Sequence, residues 1–258
     1  MNVPRFYEEI VNGFLFQEYE ALGIDTLILG LPDVGLVGAI TAIHLIKELN
    51  MKDVVGIDNY TALPPVAVIM EGKPKLPIRI YARDNLGVLV TDVPLAPSSI
   101  PLFSEALVRY AKSRGVKTLI SVTGLGNPGR IEIERPNVYL IGSDQYNVKH
   151  VSEKLNSKDI NQGILVGPYA IILKESIRLN LNNIVLMVDS FIDIPDPGAA
   201  AVAIESLNKI LELNIDVTKL LEEEDKIKLR LKELMKETKN VMARMGKTYE
   251  YRPTLIYT

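Results

Sequence analysis

The chain has 258 residues, 47% apolar and 24% charged, with 29 Lys and Arg against 32 Asp and Glu for a formal net charge of −3. That apolar share excludes a disordered chain, and the lack of a basic excess argues against an extended nucleic-acid track. Cysteine is absent and histidine stands only at His44 and His150, which excludes disulfides, thiolate metal sites and cysteine nucleophiles and leaves little for a Ser-His-Asp triad or a metal centre.

No apolar run approaches the roughly 20 residues that a membrane helix needs. The first residues include Glu8 and Glu9, where a secretory leader needs a basic and then an apolar run. The expectation is a soluble cytoplasmic protein with neither a membrane nor a nucleic-acid partner.

In chain order, residues 24–30 read as a buried strand. Residues 35–49 carry apolar side chains at helical spacing, with Leu36, Ile40, Ile43 and Ile46 on one side. Strands are expected at 54–58, 66–70, 78–82 and 86–91, separated by Pro64-Pro65 and Gly72-Lys73-Pro74. Residues 98–114 read as a helix capped by Ser98 or Ser99, with Pro101 in its first turn and Gly115 as its stop. Strands follow at 116–123, 138–141, 164–166 and 184–189, and helices at 168–179 and 197–213. The β-α alternation predicts a three-layer α/β/α sandwich on a mostly parallel, mixed sheet.

From Asp216 the composition turns to Glu, Lys, Leu and Met. Acids cluster near the start of this stretch and bases near its end, which suits the helix dipole, and Gly246 stands as a stop. Leu220, Ile227, Leu231, Leu234, Val241 and Met245 form a heptad-like stripe interrupted by Glu224 and Thr238. Such a helix either lies across its own domain or projects to meet another subunit. The expected organisation is a domain over 1–215, a projecting helix over 216–247 and an extended tail over 248–258.

Three loops carry candidate chemistry. Gly30-Leu31-Pro32-Asp33-Val34-Gly35-Leu36-Val37-Gly38 lies between a strand and a helix, where parallel sheets place phosphate loops. Its spacing fits neither the dinucleotide fingerprint nor the Walker loop, so tight turning and close packing are the favoured reading. Thr123-Gly124-Leu125-Gly126-Asn127-Pro128-Gly129-Arg130 is the second loop. There Arg130 either meets an anion or points to solvent. Asp189, Asp193 and Asp196 mark the third; paired carboxylates can do acid–base work or hold Mg²⁺, but Asp196 before Pro197 is more simply a helix cap. No catalytic constellation and no metal site emerges.

The chain closes on Ile256-Tyr257-Thr258, a hydrophobic residue, a tyrosine and a further residue. Pro253 and the β-branched residues around it favour an extended segment. Two readings stand side by side: a plug for a partner's pocket, or an edge strand on its own domain.

At these residues a resemblance enters. The 30–38 stretch, the Thr123-Gly124-Leu125-Gly126 loop and the Asp196-Pro197-Gly198-Ala199-Ala200 helix entry resemble the archaeal and bacterial relatives of the second proteasome assembly chaperone. The ending is similar to the hydrophobic-Tyr-X tail that proteasome activators insert between core-particle α-subunits. The resemblance implies an α/β/α sandwich related to nucleoside phosphorylases, no catalytic residues, no cofactor, and binding to proteasome core-particle α-subunits by a homo-oligomer, with a tetramer favoured. It implies that Ile256 fills an apolar pocket, Tyr257 adds ring contact and Thr258 presents a carboxylate. Asp33 departs from the commoner form of the glycine motif, which has a glycine there. The expected function is therefore an ATP-independent assembly chaperone or activator-like protein. The competing expectation is a phosphorylase- or hydrolase-like enzyme, or a small-ligand sensor, using Gly30, Gly35, Gly38, Gly124, Gly126 and Arg130.

Overall fold

A computed structural model describes residues 7–158 and 160–246. Strands β1 (Tyr7–Val11) and β2 (Phe14–Glu18) form a hairpin turned at Asn12 and Gly13, whose φ values are 49° and 80°. Neither strand is among the elements expected from the sequence; the inward residues Phe14, Phe16 and Glu18 mix aromatic and charged types on one face, so period-2 patterning is weak.

After β3 (Thr26–Gly30) come a short 3-10 turn (Val34–Leu36), α1 (Val37–Glu48) and β4 (Lys52–Asp58). A small hairpin, β5 (Val68–Met70) with β6 (Lys73–Lys75), stands apart from the main sheet and turns at Gly72. Next are β7 (Ile78–Arg83), β8 (Leu86–Thr91), α2 (Ile100–Ser113) and β9 (Thr118–Gly126). Then follow β10 (Val138–Gly142), α3 (Gln145–Leu155), α4 (Pro168–Leu179), β11 (Asn182–Ser190) and α5 (Pro197–Leu211).

The main sheet has nine strands in the order β1-β2-β4-β7-β8-β3-β9-β11-β10. Parallel pairing is confined to the central four, β8-β3-β9-β11, and the flanking pairings are antiparallel. This is the expected α/β/α sandwich on a mixed sheet, but five of its eight pairings are antiparallel, so the sheet is parallel only at its centre and not for the most part as the β-α alternation predicts. One face of the sheet packs on α1, α3 and α5, and the other on α2 and α4. The central strands are buried on both faces, which is why they read as continuous apolar runs. On the α2 side Phe14 meets Phe103 edge-on at 5.3 Å and Phe16 stacks on Tyr110 at 4.1 Å.

Some local expectations differ from the structure. Ser99 forms no side-chain cap on α2; its hydroxyl donates to the Ala96 carbonyl at 2.8 Å. Residues 164–166 form no strand and lead into α4. Helix α3 was not anticipated: it has no buried residue, and its ends are set by the Asp144 cap and by Asn156 at φ 54°.

The largest correction concerns the C-terminal stretch. Residues 218–245 form three helices, α6 (Thr218–Glu222), α7 (Glu224–Arg230) and α8 (Lys232–Met245), broken at Glu223 and Leu231. They fold back along α5 and across the top of the domain instead of projecting as one rod. Leu220, Met235, Thr238 and Met242 are buried, while Ile227, Leu231, Leu234, Val241 and Met245 are partly buried against the core. Backbone bonds of i to i−4 type run through both breaks, so the inward face of α8 keeps Leu234, Thr238, Val241 and Met245 of the expected stripe and is widened by Met235 and Met242, which bury deepest with Thr238. An apolar seam with a core beside it gains more by burying there than by waiting for a partner.

Candidate functional site

In a doubly covered parallel sheet, ligands bind beyond the carboxyl ends of the strands, where connections diverge to the two faces. Here that edge is formed by the loops after β3, β9 and β11. The structure brings Gly30, Gly35, Gly38, Gly124, Gly126 and Arg130 together there, but packs them against one another.

A Cβ on Gly30 would lie 2.3 Å from Cβ of Ala42. On Gly38 it would lie 2.2 Å from the Val122 carbonyl oxygen, and on Gly124 2.4 Å from the Val34 carbonyl oxygen. Gly35 sits at φ 59° under Ser190, and a Cβ there would be 1.9 Å from the Ser190 hydroxyl. Gly126 ends β9 opposite Ser190 of β11. These glycines let α1 and the 3-10 turn sit directly on the ends of β3 and β9. Leu36, fully buried, is held at φ 52°, a strained setting for a leucine that only such dense surroundings maintain.

The polar groups at this edge are engaged with the protein itself. Asp33 accepts from the Thr123 hydroxyl at 2.8 Å, and both residues are buried. The Tyr169 hydroxyl accepts from the Leu31 amide at 2.9 Å and donates to the Leu29 carbonyl at 3.1 Å. Burial, aided by the nearby Asp33 carboxylate, pushes the Tyr169 phenol well above the usual tyrosine range. Arg130 is buried instead of facing solvent, and it binds Asp196 through Nε and Nη2. Asp196 also caps α5 by accepting from the Ala199 amide at 2.9 Å, as the sequence leads one to expect.

Asp189 accepts from Asn127 Nδ2 and from the Asn137 side chain, which fixes the loop after β9 to the ends of β10 and β11. The nearby Asp189 carboxylate and burial, the larger cause, raise the Tyr139 phenol. Asp193 faces outward and pairs with Lys239 of α8 at 3.1 Å. The three carboxylates therefore serve three separate structural contacts, and among the described residues no group of three His, Asp or Glu side chains converges on a metal position.

Helix α8 closes this edge. Met242 and Thr238 face Leu31, Pro32, Leu95 and Ile100, leaving a gap of only about 10 Å³, room for no more than one water. Sequence reasoning missed Tyr169, Met235 and Met242. No local motif marks a tyrosine that meets a loop 138 residues away. The candidate docking residues Ile256, Tyr257 and Thr258 lie outside the described residues.

Comparisons with known proteins agree with this architecture. A model of the PAC2 family matches residues 27–235. The chain superposes on Pyrococcus furiosus PbaA, an archaeal homolog of proteasome-assembly chaperone, with a TM-score of 0.81 and 33% identity, covering 90% of this chain and 99% of that one. Pyrococcus furiosus PbaB, an archaeal proteasome activator, shares the fold with a TM-score of 0.71 at 23% identity over 87% of this chain and 99% of that one. An uncharacterized protein of Methanocaldococcus jannaschii is 27% identical over 218 residues, 84% of this chain and 88% of its own length. With the family match spanning most of the domain and part of the C-terminal helices, the chain is a member of the PAC2 family.

Proposed function

We propose that this protein is a non-enzymatic, ATP-independent partner of the proteasome core particle that engages its α-subunits through Ile256, Tyr257 and Thr258. The observation that carries the reading is the end-to-end similarity to PbaA, at 33% identity over 90% of this chain. The packed loops at the carboxyl edge of the sheet support it, because the place where a phosphorylase-like enzyme would hold substrate is occupied by glycine contacts and by α8.

In this proposal the rod is not the spacer. Helix α8 ends at Gly246, at φ 71°, with Met245 beside Leu31 and Pro94. The residues from 247 onward have a contour of roughly 3.3 Å each, enough to span about 40 Å in total. Ile256 and Tyr257 supply apolar and ring contact, and Thr258 supplies the polar contact. Each tail binds weakly. A homo-oligomer, with four copies as the working number, raises the effective concentration of the others once one tail is engaged.

The test is co-purification with core-particle α-subunits in the cytoplasmic fraction. The full chain should be retained, while Tyr257→Ala and a deletion of residues 256–258 should lose retention with unchanged melting. Equal retention of the deletion variant overturns the assignment of the tail.

A further inference from the structure

Away from the carboxyl edge of the sheet, a half-open cleft of about 100 Å³ lies between α1 and the α6–α7 pair. Its floor is aliphatic: Ile40 and Ile43 from α1, and Leu220, Ile227 and Leu231 from the helices opposite. Ile43 is 50% exposed, a large apolar side chain facing the opening with nothing over it. His44 closes one end, with Nε2 donating to the Asp216 carbonyl at 2.7 Å, so this nitrogen carries a proton and the ring ties α1 to the start of the C-terminal helices.

The rim has the opposite character. Lys47, Lys219 and Arg230 surround the opening, with Glu223 as the one acid among the lining residues. None of the three cations has an ion-pair partner within 4 Å among the described residues, although Lys228 of α7 and Lys239 of α8 are paired with Glu224 and Asp193, and Asp216 stands near enough to Lys219 to feel its charge. An apolar floor asks for an aliphatic chain, and a rim of three cations, which keeps a positive excess over Glu223 and the nearby Asp216, asks for an anion. The walls are helices whose backbone groups are already bonded within the helix, so an extended peptide would find no main-chain partners there. The volume suits an aliphatic group about the size of a leucine side chain or somewhat longer, lying with its end in solvent.

We propose that this cleft binds a small aliphatic carboxylate, its chain on Ile40, Ile43 and Ile227 and its head group among Lys47, Lys219 and Arg230. The ligand touches the domain on one side and the C-terminal helices on the other. Binding therefore stabilises the docked arrangement of α6 and α7 by mass action. The site stands independently of core-particle binding by the tail.

The experiment titrates the full chain with octanoate, octylamine and 1-octanol by calorimetry, with hydrogen exchange recorded over residues 218–245. Octanoate should bind at least about tenfold more tightly than octylamine and should slow exchange in α6 and α7. Ile43→Lys, at a half-exposed position that leaves the fold intact, should abolish binding, and Ile227→Glu serves as an independent block from the other wall. Arg230→Glu should weaken octanoate about fivefold and improve octylamine. Equal affinity for octanoate and octylamine, absence of octanoate binding, or octanoate binding that survives both blocking variants overturns the proposal. So does tighter binding of a peptide of residues 253–258 than of octanoate at this cleft, which would make it a seat for chain ends.

Discussion

Arg130 holds Asp196 through two hydrogen bonds, Nε to Oδ2 at 2.9 Å and Nη2 to Oδ1 at 3.2 Å, with side chains only 10% and 1% exposed. Asp196 also accepts from the amides of Phe191 and Ala199, so one carboxylate joins the loop after β9, the loop after β11 and the start of α5. Removing one partner of a buried pair leaves the other charge uncompensated. Arg130→Ala should therefore cost about 3 kcal/mol in urea unfolding, at the low end of the range because two amides remain on Asp196. A loss below about 0.5 kcal/mol, the scale of an ordinary surface change, would mean the pair is not the joint described.

Gly38 and Gly124 test whether the glycine motifs serve packing. Their missing side chains are replaced by the Val122 and Val34 carbonyls, backbone that cannot swing aside. Gly38→Ala and Gly124→Ala should each destabilise by about 2–3 kcal/mol, the upper part of the usual overpacking cost. Gly23→Ala is the matched control, since nothing lies within 4 Å of its Cβ position. If all three melt alike, the close approach of α1 and the 3-10 turn to the strands is wrong.

Three tyrosines set the alkaline limit. Burial, with Asp53 as the second cause, pushes Tyr19 up from 10.0 to about 12. Burial likewise raises Tyr110, whose hydroxyl donates to Glu18 at 2.5 Å, and Tyr169. Because the folded state favours the neutral phenols, their contribution to stability is fully present below the ordinary value and is lost as pH rises through the folded values. Stability should fall from about pH 10 upward, and absorbance should show these phenols ionising only together with unfolding. Tyr19→Phe should reduce the steepness of the loss up to about pH 12. Ionisation of all 11 tyrosines near pH 10 in a folded sample would contradict the burial pattern.

Helix α8 rests on two methionines. Met235 and Met242 are 3% and 5% exposed, with Lys232, Lys236, Lys239 and Arg244 on the outside. Truncating a buried methionine to alanine removes about 2 kcal/mol or more. In the double variant Met235→Ala/Met242→Ala, amide exchange over residues 232–245 should rise by at least about tenfold while the β3 and β9 amides stay protected. Parallel loss of protection in those strands would show that α8 is part of the global core and not a strap upon it.

Much of the sandwich can be read from local pattern. The central strands are continuous apolar runs flanked by turn residues, and α2, α4 and α5 carry proline in the first turn. The glycine motifs mark the carboxyl edge, and Asp196 before Pro197 marks a cap, because each of these depends on neighbours close in sequence. The hairpin of β1 and β2 escapes such reading, since its face mixes Phe14 and Phe16 with Glu18, whose charge is satisfied by Tyr110 and Arg114 some 90 residues on.

The sequence by itself determined the layered α/β class, the absence of cysteine chemistry, the family resemblance, and the presence of a charged amphipathic segment after residue 216. Only the tertiary structure decided that this segment breaks at Glu223 and Leu231 and lies down on the domain, that Arg130 faces inward, and that the glycine loops are filled by backbone. The reason is physical. Periodicity reports which side of an element is apolar, whereas the surface that covers that side is set by packing between residues far apart in the chain, here the domain that buries Met235 and Met242 beside the stripe.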